Sequence, residues 1–98
     1  MLEKESVGNG TVRVTFRISK HLWADCIALV GEFNNWDPHS HPMEQTYLDT
    51  DWHITLELEA GRDYRFRYLV DGEHWIDDDH ADNYELNPHG DVDSIVCV

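Results

Sequence analysis

The strongest constraint on this chain is a two-residue alternation of apolar and polar side chains, which recurs along most of its length. Every second position is apolar in TVRVTFRI, residues 11–18, in DWHITLEL, residues 51–58, and in RDYRFRYLV, residues 62–70. Successive side chains of a β-strand point to opposite faces, so this period predicts strands that are buried on one face. DCIALVG, residues 25–31, is apolar on both faces and predicts a central strand, and SIVCV, residues 94–98, predicts a short last strand.

Turn residues separate the predicted strands, as at Asp71-Gly72. Several short antiparallel strands at this spacing predict an all-β fold in which two sheets pack as a β-sandwich. The 98 residues suit a single domain, which we place at residues 11–98. We expect residues 1–10 to form a flexible N-terminal segment and residues 77–93 to form a long acidic loop before the last strand.

The charge of the chain is strongly negative and unevenly distributed. The formal net charge is -13, every Lys and Arg lies at or before Arg67, and nine acidic residues follow it. This field repels phosphate groups, which argues against nucleic acid and anionic membranes as partners. A neutral sugar, a cationic ligand or a basic protein surface is compatible with it. No apolar run has the length of a membrane span and the first ten residues are polar, so we expect a cytoplasmic protein or a fragment of one.

One tryptophan stands in a turn, in the segment GEFNNWDP, residues 31–38. Asn-Asn and Asp-Pro are typical of surface turns, so Trp36 is either a cap over the end of the sandwich or a flat platform for a ligand. Trp23 is expected to pack on a loop or a short helical turn. Other aromatic residues stand in phase with aliphatic neighbours and are expected in the core: Phe16, Trp52, Phe66 and Tyr68.

Three segments resemble a known family. They are ALVGEFNNWDP, residues 28–38, RFRYLVDGEHW, residues 65–75, and HGDVDSIVCV, residues 89–98. Together they resemble the early-set domain that precedes isoamylase and glycogen-branching catalytic domains, and the glycogen-binding domain of the AMP-activated protein kinase beta subunit. These domains form carbohydrate-binding module family 48, and short stand-alone bacterial members are the most similar.

The resemblance implies an immunoglobulin-like β-sandwich of about seven antiparallel strands that binds α-1,4-linked glucan such as glycogen, starch or maltooligosaccharide. It implies that Trp36 and Trp75 stack on sugar rings, that Arg67 reaches sugar hydroxyls, and that the segment 89–93 closes the site. In kinase members that segment has a hydrophobic residue at its tip, where this chain has His89. No cofactor is implied, and a glycogen-metabolism enzyme is the expected protein partner.

The residue types agree with a sugar site. An indole accepts the C–H face of a pyranose ring by dispersion and through its negative π-face. Hydroxyl groups at the rim of the ring require polar donors and acceptors. Besides Arg67, we expect these rim groups to be Asn34, Asn35 and Asp93.

The face occupied by Trp75 depends on the length of the preceding turn. A two-residue turn places Trp75 opposite Tyr68, in the core, whereas a three-residue turn over 71–73 places it opposite Leu69, on the same face as Arg67. A stacking platform requires the three-residue turn, which we favour.

Neither of the two candidate metal sites in the sequence has a full set of ligands. The run Asp77-Asp78-Asp79 lacks the glycine and the distal glutamate of an EF-hand, so a solvated acidic loop is favoured over a calcium site. His39 and His41 lack further transition-metal ligands.

The cysteines Cys26 and Cys97 stand in separate apolar runs and are expected to be small hydrophobic residues rather than a disulfide. No serine lies in a nucleophile elbow, and a domain of this size has little room for the deep cleft of a glycosidase, so we expect no enzyme. The alternative function is a protein-interaction or accessory domain that keeps the fold without binding sugar and meets a basic partner through its acidic loop.

Overall fold

A computed structural model describes residues 2–18, 24–45 and 51–98, which form two antiparallel β-sheets. The elements, in chain order, are β1 Leu2–Gly8, β2 Thr11–Ile18, β3 Ile27–Gly31, a 3-10 turn Glu32–Asn34, β4 Glu44–Gln45, β5 Trp52–Glu59, β6 Asp63–Val70, β7 His74–Ile76, β8 Asn83–Leu86 and β9 Val92–Cys97. The first sheet has the strand order β1-β2-β5-β4, and the second has the order β3-β6-β9-β8, with β7 also paired to β6.

The predicted all-β sandwich is confirmed, and the alternation located its central strands. The strand predicted over 11–18 is β2 within its predicted bounds, and the strands predicted over 51–58 and 62–70 are β5 and β6, shifted by about one residue. The described residues contain nine strands rather than about seven. None of the described residues belongs to a helix that could traverse a lipid bilayer. Trp23 lies outside the described residues.

The N-terminal segment differs from the expectation of a flexible tail. Leu2–Gly8 forms β1, which pairs with β2 from Leu2 opposite Phe16 to Gly8 opposite Thr11. The connecting turn contains Asn9 and Gly10, both at positive φ, as hairpin turns require. Because β1 is an edge strand and mostly exposed on both faces, its sequence lacks the apolar alternation by which the other strands were recognised.

The expected acidic loop over 77–93 also contains a strand. Asn83–Leu86 forms β8, which pairs with β9 from Asn83 opposite Ile95 to Leu86 opposite Val92. All four residues of β8 are exposed, so no burial pattern marked this strand in the sequence.

The core lies between the two sheets and is rich in aromatic rings. Phe16 and Phe66 pack with their ring centroids 5.1 Å apart at 74°, and Tyr68 packs on Phe66 at 5.6 Å. Phe16, Phe66 and Tyr68 are almost completely buried and Trp52 is 7% exposed, which confirms the four predicted core aromatics. Edge-to-face packing of this kind adds to the free energy gained by burying each ring.

The two cysteines are free thiols, as expected, but both are exposed. Cys26 precedes the first residue of β3, and Cys97 is the last residue of β9. Their apolar neighbours in sequence are the buried residues of those strands, so the interpretation of the cysteines as core residues is wrong.

A buried hydrogen bond joins the core to the residues that follow β7. The Tyr68 hydroxyl donates to Asp78 Oδ2 at 2.6 Å, and Asp78 is only 3% exposed. The backbone N–H of His80 donates to the other carboxylate oxygen at 2.7 Å. Asp78 therefore shapes the chain beneath the surface, which corrects the expectation that the run 77–79 is simply solvated. Burial raises the pKa of Tyr68 well above its usual value, and the neighbouring Asp78 carboxylate raises it further.

We expect the Tyr68→Phe variant to lose about 1.5–3 kcal/mol of unfolding free energy at neutral pH, because the buried Asp78 carboxylate loses the hydrogen bond that the Tyr68 hydroxyl donates. Tyr68 ionises more readily in the unfolded chain, near pH 10, than in the folded one. Its contribution to stability is therefore complete below pH 10 and falls above it, by about 1.4 kcal/mol per pH unit.

Urea titrations of wild type and Tyr68→Phe between pH 7 and pH 11 measure this effect. The difference between their unfolding free energies should stay constant up to about pH 10 and then shrink. Parallel curves over the whole range would contradict the buried, protonated state of Tyr68.

Candidate functional site

An open groove lies on the outer face of the second sheet, with a volume of about 850 Å³. This volume is typical of binding sites for ligands larger than a single sugar ring. The groove is lined by Trp36, Arg65, Arg67, Trp75, Leu86, Asn87, Pro88, His89, Asp91 and Asp93. The structure thus brings together both tryptophans, Arg67 and Asp93 from the predicted set, whereas Asn34 and Asn35 do not line the groove.

The hairpin of β6 and β7 places Trp75 in the groove. Leu69 pairs with Trp75 and Val70 pairs with His74, so the turn takes three residues, 71–73. This register puts Trp75 on the face of β6 that also carries Arg67, as the three-residue alternative required. The indole is 44% exposed, and the Arg67 Cζ lies 5.7 Å from its ring centroid, within the range of a cation–π contact.

The turn after Val70 is tied to the start of β3. Asp71 has a φ of 54° and Gly72 a φ of 69°, both in the left-handed region. The Asp71 carboxylate oxygen Oδ1 accepts hydrogen bonds from the backbone N–H groups of Asp25 at 2.7 Å and Cys26 at 3.0 Å. These bonds hold the three-residue turn, and with it the position of Trp75.

Trp36 reaches the groove from the turn that follows the 3-10 helix. Its backbone N–H donates to the Gly31 carbonyl at 2.9 Å, and its side chain is 39% exposed. This exposure and its place in the groove wall favour the platform over the cap. Asn35 and Trp36 have φ values of 55° and 59°, in the left-handed region. A bulky residue in this conformation costs about 1–3 kcal/mol, so the turn holds the indole in a strained position.

Asn34 braces this turn instead of facing a ligand. Its Oδ1 accepts a hydrogen bond from the Gly31 N–H at 3.1 Å, and its Nδ2 donates to the Leu29 carbonyl at 3.0 Å. Its Nδ2 also lies 2.9 Å from His41 Nδ1. Asn35 is exposed and supplies the left-handed C-cap of the 3-10 turn. Neither asparagine lines the groove, and both contribute to the backbone geometry of the turn; their role as rim groups stays a prediction.

Two further residues fix the same turn. A Cβ atom on Gly31 would lie 2.5 Å from the Arg65 carbonyl oxygen, so the close approach of β3 to β6 admits only glycine there. On the other side of Trp36, the Asp37 carboxylate accepts hydrogen bonds from the His39 N–H at 2.9 Å and the Ser40 hydroxyl at 2.8 Å. These bonds, the one from His39 above all, lower the pKa of Asp37.

The two arginines of the groove differ in how far their donors are used. Arg65 Nη2 donates to Glu85 at 2.6 Å, and its Nη1 donates to Asp93 at 3.4 Å. Arg67 forms ion pairs at longer distances, 3.5 Å from Nε to Asp77 and 4.0 Å from Nη1 to Asp91. Its buried Nε makes no hydrogen bond within the part of the chain that the structure describes. The ion pairs of Arg67 are thus longer than the shortest contact of Arg65, its hydrogen bond to Glu85.

Asp93 lies in the floor of the groove and is only 4% exposed. Besides Arg65, it accepts a hydrogen bond from Asn87 Nδ2 at 3.1 Å. Asn87 Oδ1 in turn accepts from the backbone N–H groups of His89 at 2.9 Å and Asp91 at 3.1 Å. Asp93 therefore positions Arg65 and the closing segment through its hydrogen bonds, and its role as a sugar acceptor stays a prediction. Burial raises the pKa of Asp77, and the adjacent Arg67 guanidinium opposes this shift.

Several lining residues were not singled out from the sequence: Arg65, Leu86, Asn87 and Pro88. Arg65 carried a usable signal, because it stands two residues from Arg67 and so shares its face of β6. Asn87-Pro88 is a turn signal directly before the segment 89–93 and could have been added to it. Leu86 carried no such signal, although it is 72% exposed in the structure.

A β-sandwich with two half-exposed tryptophans beside an arginine on an open groove has the architecture of a carbohydrate-binding module. The comparison with known families agrees: residues 13–98 match the family described as the glycogen recognition site of AMP-activated protein kinase, and the chain belongs to this family. The resemblance drawn from the three sequence segments is thereby confirmed.

Two similar proteins are bacterial enzymes. The 1,4-alpha-glucan branching enzyme of Methylococcus capsulatus is 36% identical over 70 residues, which cover 67% of this chain and 10% of the enzyme. The 1,4-alpha-glucan branching enzyme of Thiobacillus denitrificans is 35% identical over 52 residues, which cover 49% of this chain and 7% of the enzyme. The matched region is thus at most about a tenth of these relatives.

The strain at Trp36 predicts an unusual order of stability between two variants. Glycine adopts positive φ freely and alanine does not. The unfolding free energy of Trp36→Gly should therefore exceed that of Trp36→Ala by about 0.5–1 kcal/mol. At Glu57, an exposed position of β5, glycine should instead be less stable than alanine by about 0.5–1 kcal/mol. Urea titration of the four variants measures both differences, and the same order at both sites would contradict the strained turn.

Proposed function

We propose that this chain is a non-catalytic module that binds α-1,4-glucan by stacking sugar rings on Trp36 and Trp75. The observation that carries the proposal is that both indoles and the Arg67 guanidinium line one groove. Each indole keeps roughly two fifths of its surface accessible, at 39% and 44%. A flat ring that is partly packed and partly exposed is held in place while one face stays open to a pyranose.

Arg67 supplies the polar part of the recognition. Its contact with Trp75 holds the guanidinium over one face of that indole, and its N–H groups donate to sugar hydroxyls beside this platform. His89 and Asp91 border the same groove and complete the rim in place of Asn34 and Asn35. Because few rings are stacked and the groove is open to water, we expect a dissociation constant in the range of roughly 10 μM to 1 mM.

Binding is tested by titrating the chain with maltoheptaose and following tryptophan fluorescence and heat of binding. Trp36→Ala, Trp75→Ala and Arg67→Gln should each weaken binding about tenfold, as expected for central contacts of a small interface. Thermal unfolding of each variant shows that the fold is retained.

Arg62 offers a matched control for Arg67. Its Cζ lies 5.0 Å from the Tyr64 ring centroid, so it forms the same kind of arginine–aromatic pair, but it does not line the groove. Arg62→Gln should leave the affinity for maltoheptaose unchanged. An absence of signal up to several millimolar sugar would reject the proposed function, and an equal loss in Arg62→Gln and Arg67→Gln would reject this groove as the site.

We also propose that the module works beside an enzyme that acts on glucan. The similar segments in the two branching enzymes support this, because each is a small part of a much longer catalytic chain. The two carboxylates that line the groove, Asp91 and Asp93, are in ion pairs with arginine, and the groove is open, which does not suit the paired free acids and deep cleft of a glycosidase.

The partner proposal is tested by sedimentation of the chain with a bacterial 1,4-alpha-glucan branching enzyme, with and without glycogen. A complex that forms in the absence of sugar supports a direct protein contact. Co-sedimentation that appears only when glycogen is added would mean that the two proteins share a polymer, and would reject the contact.

A further inference from the structure

The two arginines of the groove are surrounded by four carboxylates, of which Asp91 and Asp93 line the groove itself. Around Arg65, Glu85 lies at 2.6 Å and Asp93 at 3.4 Å, and around Arg67, Asp77 lies at 3.5 Å and Asp91 at 4.0 Å. Each arginine is thus flanked by two carboxylates. Two positive and four negative groups give this cluster a formal charge of about -2, by summing unit charges, in a chain whose net charge is already -13.

The four carboxylates have different access to a ligand. The side chains of Asp91 and Glu85 are 64% and 53% exposed, whereas those of Asp77 and Asp93 are 29% and 6% exposed. Asp91 therefore presents negative charge to a ligand in the groove, and Glu85 adds negative charge beside it through its ion pair with Arg65. Asp77 and Asp93 are less exposed, and they pair with Arg67 and Arg65, respectively.

We propose that this cluster makes the site selective for neutral glucan and that it rejects glucan carrying phosphate esters or other anionic groups. The inference rests on the proposed function and adds the chemical class of chain that the site accepts. A free arginine in a sugar groove attracts phosphate by bidentate pairing. In this cluster carboxylates already neutralise both guanidinium groups, and the excess negative charge repels an anionic ligand.

The size of the effect follows from Coulomb's law. A phosphate ester with two negative charges, held about 8 Å from a net charge of -2 in water, would bind roughly thirtyfold more weakly than the neutral sugar without screening. Screening at an ionic strength of about 0.01 M, where the Debye length is about 30 Å, lowers this penalty to roughly tenfold. The penalty shrinks toward a few-fold at physiological salt, because the Debye length is then about 8 Å. Neutral glucan carries no net charge, and its affinity should change little with salt.

The experiment compares maltoheptaose with maltoheptaose that carries a 6-phosphate ester, by calorimetry at low and at physiological salt. The expected result is a ratio of dissociation constants, phosphorylated over neutral, of roughly ten at low salt, falling as salt rises. In the double variant Glu85→Gln and Asp91→Asn this ratio should fall toward one. Using the ratio cancels any change that the substitutions cause in binding of the neutral sugar.

The first sheet supplies a control with the same change in charge. Glu5 and Glu57 both pair with Arg13, at 3.6 Å and 3.4 Å, and are largely exposed on β1 and β5. The double variant Glu5→Gln and Glu57→Gln should leave the ratio at its wild-type value, because these charges lie on the opposite sheet.

The possible results separate the two proposals. If the phosphorylated sugar binds as tightly as maltoheptaose or more tightly, the selectivity is overturned and the glucan-binding function stands. If both double variants lower the ratio equally, the net charge of the chain and not this cluster sets the preference, and the inference is also overturned. If maltoheptaose itself fails to bind, the proposed function fails, and the selectivity falls with it.

Discussion

The alternation of β6 is the constraint on which the rest of the molecule depends. Its inward side chains, among them Phe66 and Tyr68, fill the core, and its outward side chains Arg65 and Arg67 line the groove. One strand therefore joins the packing that stabilises the sandwich to the surface that meets a ligand. A shift of one residue in its register would exchange the two sets, burying two guanidinium groups and exposing the rings. The large cost of both changes fixes the strand, and with it the spacing of the polar groups in the groove.

Short polar side chains then hold the turns that bring both tryptophans to this face. Asn34 binds the backbone before Trp36, Asp71 ties the turn before Trp75, and Asn87 shapes the closing segment. Each of them bonds to backbone groups close to its own loop, which makes the conformation of the loop independent of a ligand. The groove is in this sense already formed, and binding of a flexible chain loses less free energy when only one partner becomes ordered.

The sequence predicted what periodic burial determines. β2, β5 and β6 were found because one face of each is apolar, and the residues predicted to share the face of Arg67 do so. β1 and β8 were missed because both lie at sheet edges with little burial, so selection for packing left no period in them. The hydrogen bonds of Asn34 and Asp93 within their own loops could not be predicted from the sequence for another reason. An amide or carboxylate can serve a loop or a ligand equally well, and only the arrangement of neighbouring N–H groups decides which.

The edges of the two sheets have a consequence for modules that gather on one polymer. The strand β1 carries Glu3, Lys4 and Glu5, β4 has only two residues, β8 has four, and Pro42, which lacks an N–H, lies beside β3. Short, charged or proline-bearing edges are poor templates for the addition of another strand. Copies of this module can therefore reach a high local concentration without joining sheet to sheet into aggregates.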